Sequence, residues 1–278
     1  MSLQPEIYMD LVRRALAEDV GSGDITTEYL DIGDIQGTAK ITAKEDGVIA
    51  GLPVAEAVFR ELDPSVEFKA LVEDGALVRG GTLIAEARGR AASLLTAERV
   101  ALNFLQQLSG IATFTYIMAR AVKGSKAAVK DTRKTTPGMR LLEKYAVRMG
   151  GGQNHRMGLH DAILLKDNHI DLASGIAEAV RRVRAKNEKI PIEVETRNIS
   201  EVREALEARA DIIMLDNMSL IEMEDAIKEI GGRALVEVSG NVNTLNISHI
   251  ASMGVDIISV GALTHSPDAL DISMLFSV

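Results

Sequence analysis

The chain has 278 residues, of which 46% are hydrophobic and 26% charged, a balance that predicts a globular protein of two domains or a barrel with an added piece. It has no cysteine, which excludes disulfides, thiolate catalysis and thiolate metal sites. Its net charge of −9 argues against general nucleic-acid binding, and no apolar run approaches the roughly 18 residues of a membrane span.

The start of the chain is acidic and amphipathic, unlike a signal sequence, so we expect a cytoplasmic protein. Apolar residues over 5–18 recur at helical spacing. Residues 36–88 contain short alternating runs separated by Gly, Asp and Pro, which are typical of strands in a small sheet, with a helix predicted over 53–61. Residues 91–123 predict a long helix with a bend near 109–110.

From about residue 127 onward, apolar runs of the length of buried strands alternate with helical patterns. The runs are AAVK (127–130), AILL (162–165), IEV (192–194), DIIML (211–215), ALVEV (234–238) and DIISV (256–260). Helices are predicted over 172–187, 199–208, 219–230 and 243–252. This alternation indicates parallel β/α units, and six strands approach a barrel without reaching the usual eight. A charged or small residue follows each run, where barrels place active sites.

A basic segment within this acidic chain predicts an anion site. Residues 126–169 hold nine Lys or Arg, three His and only four acidic residues. Arg binds carboxylate or phosphate with two parallel donors, and Lys adds a point charge. The candidates lie after the first two runs and beside three consecutive glycines: Thr132, Arg133, Lys134, His155, Arg156 and Lys166. The alternative is an exposed loop with ordinary surface charges.

Carboxylates and small residues follow the later runs. Glu195 and Asp216 could hold a divalent cation, bind sugar hydroxyls or stabilise a developing positive charge, and a structural ion pair with Lys166 is the alternative. Small residues after the last two strands free backbone N–H groups for a phosphate, namely Ser239, Gly240, Asn241, Gly261 and Ala262. Together these features suggest a carboxylate-bearing molecule bound beside a phosphorylated sugar.

The segments that carry these residues closely resemble the quinolinate phosphoribosyltransferase family. They are 18–28, 97–113, 131–170, 192–196, 212–218, 237–242 and 260–266. The resemblance implies conversion of quinolinate and 5-phosphoribosyl 1-pyrophosphate to nicotinate mononucleotide, pyrophosphate and CO₂ with Mg²⁺, in NAD synthesis. It also implies an N-terminal α/β sandwich domain over 1–110, joined by 265–278, and an open, irregular β/α barrel with fewer than eight strands over 111–264.

The resemblance further implies a role for each candidate residue. Quinolinate carboxylates would be bound by Arg133, His155, Arg156 and Lys166, with Thr132 beside them. Lys134 would serve the pyrophosphate or the quinolinate side, and Glu195 and Asp216 would contact ribose and metal. Lys134, Lys166, Glu195 and Asp216 are expected to act in catalysis. The 5-phosphate would be held by Ser239, Gly240, Asn241, Gly261, Ala262 and Leu263. Arg99 would reach the partner's site in a homodimer or a hexamer of dimers.

Four alternatives stay open at this point. A relative associated with molybdenum transport or a nicotinate phosphoribosyltransferase would share the fold, but nicotinate has one carboxylate and needs fewer cations. Residues 36–88 resemble a lipoyl- or biotinyl-carrier sandwich, for which Lys44 would be the modified residue. A Schiff-base aldolase would use Lys166, yet such a lysine is usually buried to lower its pKa.

Overall fold

The computed structural model describes residues 3–33, 35–187 and 189–278, so the first two residues of the acidic N-terminal segment lie outside the described residues. The chain forms two compact units. The first comprises Met1–Tyr116, Thr135–Gly151 and Leu263–Val278, and the second comprises Ile117–Lys134 and Gly152–Ala262. Among the described helices, none combines the length and the apolar character needed to cross a bilayer.

The elements follow one another along the chain as a mixture of helices and strands. After a 3₁₀ turn at Pro5–Ile7, the helices are α1 (Met9–Val20), α2 (Ile25–Tyr29), α3 (Leu52–Leu62), α4 (Ala91–Ala121), α5 (Arg140–Met149), α6 (Asp167–Ala173), α7 (Ile176–Arg184), α8 (Ile199–Glu207), α9 (Leu220–Ile230), α10 (Ile247–Ser252) and α11 (Ala262–His265). The strands are β1 (Gln36–Ala43), β2 (Gly47–Val48), β3 (Glu67–Ala70), β4 (Leu77–Val78), β5 (Leu83–Arg90), β6 (Ala128–Lys130), β7 (Ile163–Leu165), β8 (Ile192–Thr196), β9 (Ile212–Asp216), β10 (Leu235–Ser239), β11 (Ile257–Ser259) and β12 (Ile272–Ser277).

The first unit is built on a four-stranded antiparallel sheet in the order β12-β1-β5-β3, beside a two-stranded sheet of β2 and β4. Alternation along β1 buries Ile41, which pairs with Ala85 on one side and Met274 on the other. Helix α3 buries Val58 and Phe59 on its apolar face. Burial of such side chains supplies most of the stability of a unit of this kind.

The second unit is a six-stranded parallel sheet in the order β6-β11-β10-β9-β8-β7. Its strands are short apolar runs, and amphipathic helices α7, α8 and α9 bury small and branched residues such as Val180, Val202 and Ala226. The predicted fold class, an α/β chain with a small sheet domain and a β/α domain of fewer than eight strands, is confirmed.

Several predicted elements differ in detail from the observed ones. The helix predicted over 172–187 is two helices, because Ser174 adopts a left-handed conformation with φ 69° and Gly175 has φ 123°. Glu195 is the next-to-last residue of β8, and Asp216 and Ser239 are the last residues of β9 and β10. We had predicted all three to follow their strands. Parallel pairing therefore extends one or two residues further than the apolar runs.

The segment Thr135–Gly151 clusters with the first unit, although the predicted barrel included it. Tyr145 on α5 donates a 2.7 Å hydrogen bond to Asp74, whose carboxylate also accepts from the backbone N–H groups of Gly51 and Leu52 at the start of α3. These bonds tie α5 to the first unit. The predicted domain boundaries, at 110 and near 265, stay a prediction.

Candidate active site

The carboxyl ends of the parallel strands in the second unit gather charged and small polar side chains on one face. The register places Lys130 opposite Ser259, Ser259 opposite Ser239, and Ser239 opposite Asp216. Glu195 lies opposite Met214, two residues before Asp216, so strand alternation directs Glu195 and Asp216 to the same face. The structure thus brings both predicted acidic residues and Ser239 to one edge of one sheet.

Two loop segments of this edge are joined by buried Asp131, directly after β6. Its carboxylate accepts hydrogen bonds from the backbone N–H of His155, at 2.8 Å, and from Asn154 Nδ2, at 2.5 Å. Gln153 pairs with β6 through its own backbone, since its N–H donates to Val129 O at 2.8 Å. Asp131 is fully buried, so it positions the loop that carries His155 and is not itself exposed to a ligand.

The imidazole of His155 lies between two buried glutamates. Its Nε2 is 3.2 Å from Glu193 Oε2 and 3.5 Å from Glu237 Oε1. Burial lowers the pKa of His155, but the two carboxylates outweigh it and raise that pKa to about 9. Burial also raises the pKa of the Glu193 carboxyl. The sequence analysis did not identify Glu193 or Glu237 as site residues. Each is a charged residue inside an otherwise apolar run, IEV or ALVEV, and that pattern could have indicated a role.

His155, Glu193 and Glu237 also form a possible metal-ligand group, since their ligand atoms all lie within 4.8 Å of one another. The other ring nitrogen of His155 argues against a metal. Nδ1 accepts a 2.7 Å hydrogen bond from the backbone N–H of Arg156, which requires a neutral ring with its proton on Nε2, so this bond opposes the protonation that the two glutamates favour. A metal-bound imidazole has the reverse arrangement, with the remote nitrogen donating. We interpret this group as an ion-pair cluster in which two buried glutamates flank the His155 ring.

The second unit also holds three of the candidate cations, Arg133, Arg156 and Lys166. Arg156 donates to Ala162 O at 3.2 Å, and its pKa is lowered first by burial and then by the nearby charge of Arg133. Two guanidinium groups that repel each other in this way favour a bound anion. Lys166 Nζ lies 2.8 Å from Glu195 Oε2. The structural ion pair considered as an alternative is therefore present, but 46% of the Lys166 side chain is exposed, so the pair contributes little stability.

The remaining candidates are distributed between the units. Thr132 and Lys134 lie in the loop after β6, where Lys134 N donates to Thr132 Oγ1 at 3.1 Å. Gly261 and Ala262 follow β11, whereas Leu263 is fully buried and clusters with the first unit. Arg99 is exposed on the part of α4 that belongs to the first unit. The binding roles assigned to all these residues stay predictions.

The turn that follows β10 contains two of the predicted phosphate ligands. Gly240 has φ 88° and Asn241 has φ 53°, so two successive residues adopt left-handed backbone. Two successive residues of this kind mark a tight turn, the type of backbone in which neighbouring N–H groups can converge on an anion. The turn therefore has the backbone conformation that the phosphate prediction requires.

Comparison with known proteins places the whole chain beside one group of enzymes. Sequence models described as quinolinate phosphoribosyl transferase, N-terminal domain and C-terminal domain, match residues 24–109 and 111–275. The chain is 49% identical over 279 residues to a probable nicotinate-nucleotide pyrophosphorylase (carboxylating) of Synechocystis sp., covering 98% of this chain and 94% of that protein.

Solved structures agree with this result. The crystal structure of NadC from Streptococcus pyogenes superposes with a TM-score of 0.94 at 45% identity, covering 100% of this chain and 99% of that one. The nicotinate-nucleotide pyrophosphorylase of Francisella tularensis has a TM-score of 0.93 at 42% identity, with 99% and 98% covered.

Proposed function

The chain belongs to the quinolinate phosphoribosyltransferase family of enzymes, and on that premise we propose that it forms nicotinate mononucleotide for NAD synthesis. Its substrates are quinolinate and 5-phosphoribosyl 1-pyrophosphate, and its other products are pyrophosphate and CO₂. Among the observations within the site, the exposed cation Lys166, 2.8 Å from Glu195 on the face that also holds Asp216, carries the proposal, because it sets a carboxylate-binding cation beside an acidic ribose site.

The proposed reaction needs orientation more than a nucleophilic side chain. Arg133, Arg156 and Lys166 hold the dicarboxylate so that its ring nitrogen faces the anomeric carbon of the ribose. The nitrogen–carbon bond forms as the carbon–oxygen bond to pyrophosphate breaks. The ring nitrogen is then cationic and accepts the electron pair released as the adjacent carboxylate leaves as CO₂, and a proton takes its place on the ring carbon.

Glu195 and Asp216 contribute negative charge beside the ribose in this proposal. The positive charge that develops at the anomeric carbon is stabilised by carboxylates on the same face. Lys166, paired with Glu195 in the structure, exchanges that partner for a quinolinate carboxylate. The exchange leaves the Glu195 carboxylate, whose side chain is 11% exposed, to a ribose hydroxyl or the metal.

A bound Mg²⁺ is part of the proposal, and the donor set fits it. Glu195 and Asp216 offer carboxylate oxygens on one face of neighbouring strands, and Mg²⁺ usually takes one or two carboxylates together with substrate phosphates. When bound, the ion supplies charge neutralisation for the departing pyrophosphate. A homodimer, or a hexamer of dimers, in which Arg99 completes the partner's site is the proposed assembly. The cytoplasmic location also stays a prediction.

An assay of the purified protein tests the function. Quinolinate, 5-phosphoribosyl 1-pyrophosphate and Mg²⁺ are expected to yield pyrophosphate, CO₂ and nicotinate mononucleotide in equal amounts. Nicotinate replaces quinolinate in the control, and turnover of nicotinate without CO₂ would contradict the proposal. Chelation of Mg²⁺ is expected to stop the reaction, and its restoration by added Mg²⁺ alone checks the metal.

A further inference from the structure

Asn217 joins the ends of two neighbouring strands in the second unit. It follows Asp216, the last residue of β9, and its backbone N–H donates a 2.9 Å hydrogen bond to the carbonyl of Ser239, the last residue of β10. Its φ of 55° is left-handed, a conformation that only glycine adopts freely and that asparagine tolerates better than most residues. Arg209 of the same unit has a similar φ of 61°, so the conformation alone assigns no function, and the contacts of the Asn217 side chain decide.

Both ends of the Asn217 amide bind residues of the proposed donor site. Nδ2 donates to Asp216 Oδ2 at 2.8 Å, and Oδ1 accepts from Asn241 Nδ2 at 3.1 Å. This orientation of the amide is fixed chemically, because a carboxylate accepts hydrogen bonds and cannot donate. One side chain therefore connects the carboxylate proposed for ribose and metal with the turn proposed for the 5-phosphate.

The turn around Asn217 is closed by Gly240. A Cβ built on Gly240 would collide with Asn217 Oδ1 and would lie 2.6 Å from its Cγ and 3.1 Å from its backbone nitrogen. We had assigned the glycine to a turn whose free backbone N–H groups hold a phosphate. The structure gives it another cause, since the space that a side chain would occupy already holds the Asn217 amide. The far side of the turn is tied down as well, because Asn241 O accepts from Asn246 Nδ2 at 2.9 Å.

We propose that Asn217 is a positioning residue that sets the spacing between the Asp216 carboxylate and the Ser239–Asn241 turn. It acts through these two groups, and its contribution is a donor site already arranged before the phosphoribosyl pyrophosphate binds. The inference rests on the proposed function, because that function supplies the ligand that spans both groups. Quinolinate, bound by the cationic residues, does not depend on this spacing.

The variant Asn217→Gly tests the inference directly. Glycine keeps the left-handed backbone and the N–H bond to Ser239 but removes both amide bonds. Asn217 is exposed, so the variant is expected to fold with an unchanged melting temperature. Loss of two hydrogen bonds is expected to raise the KM for 5-phosphoribosyl 1-pyrophosphate about tenfold, whereas the KM for quinolinate changes less than about twofold.

Two further variants separate positioning from backbone effects. Arg209→Gly replaces another left-handed residue of the same unit, with φ 61°, and is expected to leave both KM values unchanged. Gly240→Ala, made alone and in the Asn217→Gly background, forms a double-mutant cycle. Gly240→Ala is expected to raise the KM for the donor less in the Asn217→Gly background, because the amide that the new Cβ would meet is then absent. The backbone strain at φ 88° is the same in both backgrounds and cancels in the cycle.

Calorimetric titration with 5-phosphoribosyl 1-pyrophosphate and Mg²⁺, without quinolinate, keeps this test apart from that of the reaction. A wild-type protein that binds the donor but does not turn over quinolinate would refute the proposed function. The inference would then be decided by comparing the donor affinities of wild type and Asn217→Gly. Equal donor affinity in wild type and Asn217→Gly would overturn the inference. So would equal weakening of both substrates, or additive effects in the cycle. If the wild type binds no donor, function and inference fail together.

Discussion

Two buried carboxylates, Asp63 in the first unit and Glu193 in the second, are held in opposite ways. In the first, Asp63 accepts from Ser65 N, Ser65 Oγ, Ser93 Oγ and Arg90, with distances between 2.6 and 3.1 Å, and these bonds lower its pKa. In the second, Glu193 Oε1 and both oxygens of Glu237 are buried without a hydrogen-bond partner among the residues that the structure describes. Burial raises the pKa of Glu193.

This difference separates Asp63, which holds its part of the fold, from Glu193 and Glu237, which flank a candidate site residue. A fully bonded carboxylate stabilises its unit, whereas an under-bonded one costs stability and persists where another requirement retains it. The requirement here is the position of His155. The comparison predicts that charge substitutions in the first unit change stability with little effect on turnover. Charge substitutions at the strand ends of the second unit should lower turnover with little effect on stability.

The largest expected effect is that of Arg99. This exposed cation belongs to the first unit, but unlike the other charges there it is expected to affect turnover. Arg99→Ala and Lys166→Ala are each expected to be inactive, because both remove charge from the proposed quinolinate site. Heterodimers carrying one variant in each chain are expected to recover about half of the wild-type activity, since one of two sites is intact in a symmetric dimer with shared sites.

Heterodimers are obtained by co-expression with two different affinity tags and sequential purification, and their turnover of quinolinate is measured. Doubly tagged dimers of two Lys166→Ala chains serve as the control and are expected to be inactive. An inactive mixed dimer would show that Arg99 acts in the site of its own chain, and an active Arg99→Ala homodimer would leave it as an ordinary surface cation.

Arg133→Ala comes next in size. Loss of one charge-assisted contact with quinolinate is expected to lower kcat/KM about 100-fold, while the free energy of unfolding changes by less than about 0.5 kcal/mol. The matched control is Lys126→Ala, because Lys126 is a half-exposed cation of the same unit whose 2.6 Å ion pair is with Asp256. It is expected to keep full activity. Steady-state kinetics and urea denaturation measure both variants.

In the first unit, Asp63→Asn is expected to lower the free energy of unfolding by about 2 kcal/mol, because it weakens several charge-assisted hydrogen bonds. Quinolinate turnover by the folded variant should be unchanged. Asp10→Asn is the control, since that carboxylate is 86% exposed in its pair with Arg14. A variant of Asp63 that stays fully stable, or loses activity while folded, would contradict the comparison.

The pH dependence of stability sharpens the same contrast. The folded-state pKa of Asp63 lies below its unfolded value, so its stabilising contribution is present above about pH 4 and is lost as the pH falls further. The stability difference between wild type and Asp63→Asn should therefore shrink on acidification from pH 5 to pH 3. Urea denaturation across that range measures it.

The smallest expected effect is on the ionisation of His155. Glu193→Gln removes one of the two carboxylates that raise its pKa to about 9, so that pKa should fall by about one unit. A raised histidine pKa stabilises the fold fully below about pH 6.5, and this stabilisation disappears as the pH rises to about 9. In the variant the stabilisation should disappear at a lower pH. NMR titration can follow the ring, since the chain has five histidines. An unchanged pKa would refute the coupling.

Much of the second unit could be predicted from the sequence, because six apolar runs separated by amphipathic segments leave few alternatives to parallel β/α pairing. The break between α6 and α7 was also readable, since Ser174-Gly175 is a turn signal. The His155 network was not, because Glu193 and Glu237 are far from His155 in sequence and meet it only through strand register. Asn217 was missed for the same reason, since its amide acts across two strands.

The pairing of β12 with β1 has a consequence for how the chain is made. β1 is an eight-residue strand, and one of its edges pairs with Ile272–Ser277. During synthesis the first sheet therefore waits with an open edge until almost the whole chain has left the ribosome. An open edge of that length pairs readily with other chains. Deletion of β12 should therefore cause aggregation through the exposed edge of β1, although β1 and β12 lie far apart in the sequence.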